Sequence, residues 1–224
     1  MLALLLVFGC MIPDYFWIKS VHDRLPMKKP MIILFSFLLH TFCVISAKAF
    51  AVLEFQDARA FVYGMRIYGT ILLCPLALYI AAKAGKWKLR DVSDVVAVAL
   101  MYGLFAIRIN CMKNGCCRSV PVSFLGGHRL PIVEAEMLLW VILAVYWLPR
   151  VRKGETYGQV YPCLMISYGI FRFLIEWFRE EYVSIGSWHM GHIWSLVCLV
   201  IGLSAYFSIQ SQHNARKGVQ KRRR

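Results

Sequence analysis

Residues 93–118 read SDVVAVALMYGLFAIRINCMKNGCCR, an apolar run (93–107) that leads directly into a cationic, cysteine-rich cluster. The cluster, Arg108–Arg118, holds three cysteines, two asparagines, one glycine and three cations. Apolar runs that approach roughly 20 residues are typical of helices that cross a bilayer. The stretch therefore predicts a membrane helix with a polar site at its end.

The rest of the chain has the same apolar character. It has 224 residues, of which 59% are hydrophobic, and its mean hydropathy is +0.58. This is too apolar for a soluble domain of this length. We therefore expect an all-α integral membrane protein with about seven transmembrane helices, forming one domain (1–212) before a basic cytoplasmic tail (213–224). The candidate spans are roughly 2–18, 31–53, 67–84, 93–107, 131–148, 157–177 and 188–209.

The distribution of Lys and Arg predicts the orientation. The loops that follow the odd-numbered spans hold 17 of these residues, whereas the loops that follow the even-numbered spans hold 7. Because cytoplasmic loops are enriched in Lys and Arg, we expect the N-terminus outside and the C-terminus in the cytoplasm. The net charge of +14 then reflects topology and contact with anionic lipid rather than a nucleic-acid partner.

The cysteines and histidines do not predict a metal site. Cys111, Cys116 and Cys117 form a C-x4-C-C pattern that matches no common zinc or iron–sulfur spacing. His189 and His192 open the last span without a nearby carboxylate. The other five cysteines lie in apolar runs, where cysteine acts as a small hydrophobic residue.

Polar residues within the first two spans leave alternatives open. Asp14 lies either near an interface or beside a partner, because an isolated carboxylate in the bilayer costs about 2.5–3.5 kcal/mol. We interpret His40 as a packed, structural histidine. Lys48 either extends towards the interface or faces an anionic group.

The sixth span carries the most informative pattern. Tyr168, Arg172, Glu176 and Arg179 fall within about an 80° arc of a helix, because each residue turns the helix by about 100°. Arg172 lies within an apolar run and must face protein or a polar cavity. It either forms an internal ion pair with Glu176 or grips a phosphate at two points.

Two further segments supply candidate residues. The fifth span begins at Pro131, and its Glu134 and Glu136 are about 200° apart on a helix, so both cannot face one site. At the loop before the third span and in its first residues, Gly64 and Gly69 flank Tyr68 and allow close approach of a backbone or a ligand. Tyr68 is either an interfacial aromatic residue or a hydroxyl of the site.

Several of these segments, in order, resemble the prolipoprotein diacylglyceryl transferase family. The resemblance covers roughly residues 46–195. Arg108–Cys117 is similar to the family's G-R-x-G-C-F-x-x-G-C-C signature, and Tyr168–Arg179 to its Y-G-x-x-R-F-x-x-E-x-x-R helix. Weaker similarities occur at Ala47-Lys48, Gly64–Gly69, Pro131–Glu136 and Met190–Ser195.

The resemblance implies a reaction. The family transfers an sn-1,2-diacylglyceryl group from phosphatidylglycerol to the lipobox cysteine of a prolipoprotein, and releases glycerol-1-phosphate. The implied partners are phosphatidylglycerol, the prolipoprotein signal peptide and membrane lipids, without a cofactor or metal. The implied location is the bacterial inner (plasma) membrane, where this multi-pass protein has its active site towards the outer leaflet.

The resemblance also implies residue roles. We expect Arg108, Arg172 and Tyr68 to be catalytic, with the two arginines holding the phosphodiester. Tyr68 is a weak candidate for the base, and Glu176 is expected to orient Arg172. The three clustered cysteines are expected to pack the turn. The remaining candidate substrate-binding residues are Tyr168, Glu136, Lys48, Asn114 and Gly115.

The sequence departs from the family pattern at several positions. Ile107 and Asn110 replace small residues of the signature, Lys48 replaces an arginine, and Tyr68 stands where many members have histidine. Three alternatives therefore remain: a related enzyme with another acceptor, a non-enzymatic lipid-binding or transport protein, and a thiol-redox membrane protein.

Overall fold

The computed structural model describes residues 2–115, 117–123, 126–180, 184–185 and 188–222. Cys116, one of the three clustered cysteines, lies outside these residues. The described chain is helical, with one antiparallel pair of two-residue strands. The elements are α1 (Leu2–Ser20), α2 (Lys29–Phe55), α3 (Ala60–Tyr63), α4 (Ile67–Gly85), α5 (Leu89–Asn114), α6 (Ile132–Arg152), α7 (Val160–Glu176), β1 (Ser184–Ile185), β2 (Trp188–His189) and α8 (Met190–Arg222).

Five helices of the described chain are long and apolar enough to cross a membrane. They are α2, α4, α5, α6 and the Met190–Ala215 part of α8. The protein is therefore a helical, multi-pass membrane protein, as the sequence predicted. Helices α1 and α7 are not among the five, so the count of seven stays a prediction.

Helix α5 lies at the centre of the bundle. Of its apolar stretch, 61% is buried, compared with 22% for α8. It contacts α1, α4, α6 and α7. A helix that is apolar on all sides is buried by protein or lipid, and α5 is buried mainly by protein. Its side chains therefore connect most of the bundle.

Helix α5 is longer than the sequence predicted. We expected the helix to end at residue 107, but it continues to Asn114. Arg108 and Cys111, one turn apart, are both buried on the inner side of this extension. The helix ends at Gly115, which has φ 61° and donates its N–H to the carbonyls of Cys111 and Met112. The polar loop therefore starts about two turns later than predicted.

A strap formed by residues 117–123 and 126–131 covers one end of the bundle. The Val120 N–H donates to the Phe178 carbonyl and the Glu180 N–H donates to the Arg118 carbonyl. Arg129 Nη1 lies 2.6 Å from both the Ser119 carbonyl and Glu180 Oε1. These bonds hold the strap against the segment that follows α7. The strap thus closes the end where α5 and α7 finish and α4, α6 and α8 begin.

The glycines before and in α4 serve helix packing. A Cβ atom on Gly69 would lie 2.3 Å from the Ser46 carbonyl oxygen of α2, and one on Gly64 would lie 2.8 Å from Ala51 Cβ. We expected close approach of a backbone or a ligand, and it is the α2 backbone and side chains that approach. Helices α2 and α4 therefore pack closely beside Tyr68.

Asp14 is partnered rather than interfacial. It is 1% exposed and accepts a hydrogen bond from Ser36 Oγ. Its Oδ2 also lies 3.4 Å from His40 Nδ1. The sequence offered His40 no partner, because the contact joins two different helices. This group links α1 to α2 within the apolar bundle.

Candidate active site

Three buried side chains from three helices meet below the strap. Glu136 of α6 lies between Arg108 of α5 and Arg172 of α7. Arg108 Nη2 is 2.7 Å from Glu136 Oε1, and Arg172 Nη1 is 3.8 Å from Oε2. All three side chains are at most 5% exposed. One carboxylate therefore aligns two arginines from neighbouring helices.

A second carboxylate extends this arrangement along α7. Glu176 Oε2 lies 3.0 Å from Arg172 Nε and 3.6 Å from Arg179 Nη1. The predicted buried helical face is confirmed for Tyr168, Arg172 and Glu176, whereas Arg179 is buried but follows the end of α7 at Glu176. We call Arg108, Glu136, Arg172, Glu176 and Arg179 the arginine network.

The arginine network carries an excess of positive charge. With all five groups ionised, its three guanidiniums and two carboxylates leave one net positive charge. Arg108 Nε is buried and has no hydrogen-bond partner among the described residues. Burial of an unpaired donor is costly, so the site is better matched to an anion than to a neutral molecule. A phosphodiester, with one negative charge, has the complementary charge and acceptor oxygens.

Tyr68 connects the arginine network to the start of α8. Its hydroxyl lies 2.9 Å from both the Gly191 carbonyl oxygen and Ser195 Oγ. Arg172 Nε donates to the same hydroxyl at 3.3 Å. Tyr68 is 4% exposed, and its oxygen is already surrounded by partners. This geometry favours a positioning role, with Tyr68 holding Arg172 in place.

Stacked aromatic rings form an apolar wall beside the arginines. The Trp140 and Tyr168 rings are stacked at 5.6 Å, and the Tyr68 ring lies 5.5 Å from that of Tyr168. The Arg172 guanidinium carbon lies 5.9 Å from the centre of the Tyr68 ring. Such a wall lowers the local dielectric constant, which strengthens the attraction between the guanidiniums and an anion.

Gly191 allows Glu176 to approach the first turn of α8. A Cβ atom at this position would lie 2.1 Å from Glu176 Oε1 and 2.2 Å from its Cδ. Any larger residue would therefore displace the carboxylate that holds Arg172 and Arg179. The requirement for glycine here is steric and concerns the arginine network directly.

Comparison with known proteins identifies the family. The family model described as prolipoprotein diacylglyceryl transferase matches residues 1–208.

The chain belongs to the prolipoprotein diacylglyceryl transferase family.

Curated relatives carry the name phosphatidylglycerol–prolipoprotein diacylglyceryl transferase. The chain is 32% identical over 158 residues to the protein from Pasteurella multocida, a match that covers 62% of this chain and 57% of that protein. For the Clostridium tetani protein the identity is 26% over 159 residues, with coverage of 64% and 63%. The chain thus spans about three fifths of the length of the relatives that it matches.

In this diacylglyceryl transferase family member, two clustered cysteines contact the network. Arg108 Nη1 lies 3.6 Å from Cys111 Sγ and 3.6 Å from Cys117 Sγ. Cys111 is buried against Ile132 and Val133. The Cys117 side chain is partly exposed, and its backbone has a left-handed conformation with φ 61°. Both thiols therefore line the guanidinium, and Cys111 also packs the start of α6.

Three predicted substrate-binding residues lie outside the network. Lys48 Nζ donates to the carbonyls of Phe61 and Val62 at 2.8 and 3.0 Å, so it provides hydrogen-bond donors for two backbone carbonyls of the short helix α3. Asn114 is exposed and donates to Asn110 Oδ1 at 3.0 Å. Gly115 ends α5. Within the described chain these residues support the surroundings of the network, and a direct role in binding stays a prediction.

The two histidines of the last span lie among aromatic rings. His192 is 1% exposed, and its ring lies 4.6 Å from that of Trp177 and 5.4 Å from that of His189. In the part of the chain that the structure describes, no group of three or more His, Cys, Asp or Glu side chains could hold a metal ion.

Sequence reasoning missed two contributors to the site. Trp140 follows Glu136 by one helical turn, and this i, i+4 spacing was the available signal for a shared buried face. Its Nε1 has no hydrogen-bond partner in the described chain. Arg179 was expected on the helical face, but α7 ends at Glu176, and the contact of Arg179 with Glu176 was not predicted.

Proposed function

We propose that this protein transfers a diacylglyceryl group from phosphatidylglycerol to the lipobox cysteine of a prolipoprotein. The observation that carries the proposal is the buried Arg108–Glu136–Arg172 arrangement. It lies within an apolar helical bundle, on the segments that resemble the family motifs. A buried cationic site in a membrane protein requires a functional explanation. An anionic lipid is the substrate class that reaches such a site from the bilayer.

The two arginines would hold the phosphodiester of the donor. Guanidinium groups bind phosphate oxygens at two points. Glu136 and Glu176 occupy some of these donors, so the phosphate would bind mainly through the surplus charge and through Arg108 Nε, which has no hydrogen-bond partner among the described residues. The network is nearly inaccessible to solvent, and lipid entry would require the strap or the helices to separate. Separation would also let the acceptor peptide reach the site.

The chemical step is a displacement at carbon. The thiolate sulfur of the acceptor cysteine attacks the glyceryl carbon bonded to the phosphate oxygen. A carbon–sulfur bond forms, the carbon–oxygen bond breaks, and glycerol-1-phosphate leaves with both electrons of the broken bond. The proton lost by the thiol is taken up by the released phosphate. Arg108 and Arg172 would stabilise the charge that develops on the leaving oxygen, and a nearby cation favours the thiolate.

Topology supports an outward-facing site. With seven spans and cytoplasmic basic loops, the N-terminus lies outside and the C-terminus inside. The end of α5 that carries Arg108 then faces the outer leaflet of the bacterial inner membrane. In this arrangement residues 1–212 form the membrane domain, and 213–224 are the basic cytoplasmic segment.

A related enzyme with another acceptor is the second candidate. It is favoured by Tyr68, which stands where many members have histidine and whose hydroxyl is held by Gly191 and Ser195. The donor half of the site would be unchanged, because the arginine network is present. A small thiol would then receive the lipid instead of a peptide.

The test uses purified protein, phosphatidylglycerol labelled in its diacylglyceryl part, and a lipobox peptide. We expect a label on the peptide cysteine and equimolar release of glycerol-1-phosphate. A peptide with serine at that position should remain unlabelled. The absence of label, while a known transferase is active in parallel, would refute the proposal. With a small thiol added beside the peptide, label on that thiol alone would identify the second candidate.

A further inference from the structure

A large cleft lies at the end of the bundle opposite the arginine network. It has a volume of about 1010 Å³ and opens between residues of α4 and α5 on one side and of α7 and α8 on the other. Its inner part is lined by apolar side chains, including Leu78, Met165 and Ile201. The volume lies at the upper end of the range of about 300–1,000 Å³ for ligand sites. No residue of the arginine network lines it.

The outer end of this cleft carries cations. Lys88 and Arg90 line it beside His213. The Arg90 side chain is 40% exposed, and its Nε lies 3.8 Å from Asp91 Oδ2. Asp91 is held more closely by Arg24, at 2.7 Å. The charges of Lys88 and Arg90 therefore remain available to an anion at the mouth of the cleft.

The dimensions of the cleft match one leaflet of a bilayer. From Ile201 to His213, α8 rises about 18 Å, and half of the hydrocarbon core measures about 15 Å. From Arg90 to Arg108, α5 rises about 27 Å, close to the full core of about 30 Å. The cationic mouth and the arginine network are therefore separated by nearly the thickness of the hydrocarbon core.

We propose that this cleft binds an anionic phospholipid of the leaflet opposite the candidate active site. Its phosphate lies at Lys88 and Arg90, and an acyl chain runs along Leu78, Met165 and Ile201. Charge complementarity selects an anionic headgroup over a zwitterionic one. The bound lipid is not the donor of the transfer reaction, because the two sites are separated by nearly the thickness of the membrane core.

A photoactivatable lipid tests this site directly. The full chain is placed in phosphatidylcholine vesicles that contain either phosphatidic acid or phosphatidylcholine with a diazirine in one acyl chain. After illumination, labelled peptides are mapped by mass spectrometry. We expect phosphatidic acid to label the α8 segment from Ile201 to Ile209 at least about fivefold more than phosphatidylcholine does. One cation attracts an anionic headgroup by about 1 kcal/mol, which corresponds to about a fivefold preference in binding.

Two variants separate headgroup binding from chance contact with bulk lipid. In the double variant Lys88→Ala with Arg90→Ala, the ratio of labelling by phosphatidic acid to labelling by phosphatidylcholine should fall below about twofold. Arg152→Ala with Lys153→Ala, which removes two exposed cations at the same end, should retain it. Ala205→Trp, which fills the cleft without a change of charge, should reduce labelling by both probes.

Equal labelling by the two probes, or an unchanged preference in the Lys88/Arg90 double variant, would overturn the proposal. Disulfide or photochemical capture of a second copy of the chain in the cleft would also overturn it. The readout requires no transfer reaction. Loss of the proposed enzymatic function would therefore leave this result unaffected, and failure of lipid labelling would not affect the transfer assay.

Discussion

At the start of α5, Arg24 binds Asp91 and Asp94, whereas at its end Arg108 and Arg172 share Glu136. The first cluster pairs Arg24 with two carboxylates, and the partly exposed Arg90 lies 3.8 Å from one of them, Asp91. The backbone N–H groups of Gly158 and Val160 donate to Asp94 at 2.8 and 3.0 Å.

In this first cluster Arg24 also donates to the Val151 carbonyl and to Thr156 Oγ1. Asp94 is satisfied by Arg24 and by N–H groups at the beginning of α7, where a helix favours anions.

The arginine network has a different charge balance. Three cations face two carboxylates, and the described chain supplies no additional acceptor for Arg108 Nε. Both clusters are largely shielded from solvent, with Arg24 and Asp91 only 11% and 14% exposed, so burial alone does not distinguish a structural cluster from a functional one. The difference lies in whether the protein completes the hydrogen bonds itself. The Arg24 cluster is completed by backbone groups, and the arginine network is left suited to an anionic ligand.

The largest effect should follow from Asp94→Ala. Removal of this carboxylate takes from Arg24 one of its two carboxylate partners and leaves the buried N–H groups of Gly158 and Val160 without their acceptor. Breaking a buried ion pair costs about 3–5 kcal/mol, so we expect the thermal unfolding temperature in detergent to fall strongly. Asp23→Ala, at an exposed position nearby, should change stability by about 0.5 kcal/mol or less. Equal stability of the two variants would show that the first cluster is not structural.

Arg172→Lys should reduce transfer while the fold is retained. A lysine can keep one contact with Glu176 but cannot bind a phosphate at two points. We expect the rate of transfer to fall by about 10²–10³-fold, measured with labelled phosphatidylglycerol. Arg150→Lys, at the exposed end of α6, is the matched control. If Arg172→Lys unfolds the protein instead, the arginine network is structural like the Arg24 cluster.

Glu136→Gln should have a smaller effect on transfer. The amide keeps the shape of the side chain but loses the charge that aligns Arg108 and Arg172. A hydrogen bond to a charged group contributes about 1.5–3 kcal/mol, so we expect at least about a tenfold loss of activity. Glu134→Gln changes an exposed carboxylate two residues away and should be neutral. Similar activities of the two variants would remove Glu136 from the site.

The smallest effect is expected from Cys111→Ser combined with Cys117→Ser. Both hydroxyls can still contact Arg108, and neither thiol is required as a nucleophile in the proposed displacement. Transfer should remain within about threefold of the unmodified protein, which corresponds to less than 1 kcal/mol. Complete loss of activity in a folded variant would revive the thiol-redox interpretation.

The sequence predicted interactions within helices better than interactions between them. The buried face of α7 followed from the spacing of Tyr168, Arg172 and Glu176, because helical geometry fixes that spacing. The same geometry required that only one of Glu134 and Glu136 could face the site. It did not tell which one, since that depends on how α6 rotates against α5.

Contacts that join distant helices were not predictable from one sequence. Asp14 and His40 each received an interpretation alone, although they are partners across α1 and α2. The extension of α5 to Asn114 was missed because its residues look polar in isolation. There, tertiary contacts of Arg108 and Cys111 outweigh local composition. The cleft beside Arg90 likewise depends on the spacing of four helices.

The hydrogen bond from Tyr68 to Gly191 joins residues 123 positions apart, and this separation has a consequence for biosynthesis. At about 5–20 residues per second, the ribosome makes Gly191 some 6–25 s after Tyr68. Arg172 pairs with Glu176 of the same helix, but the carboxylate partner of Arg108, Glu136, belongs to α6, which is synthesised later. A nascent chain therefore carries an uncompensated cation until Glu136 arrives, and the last helix to be inserted completes the assembly.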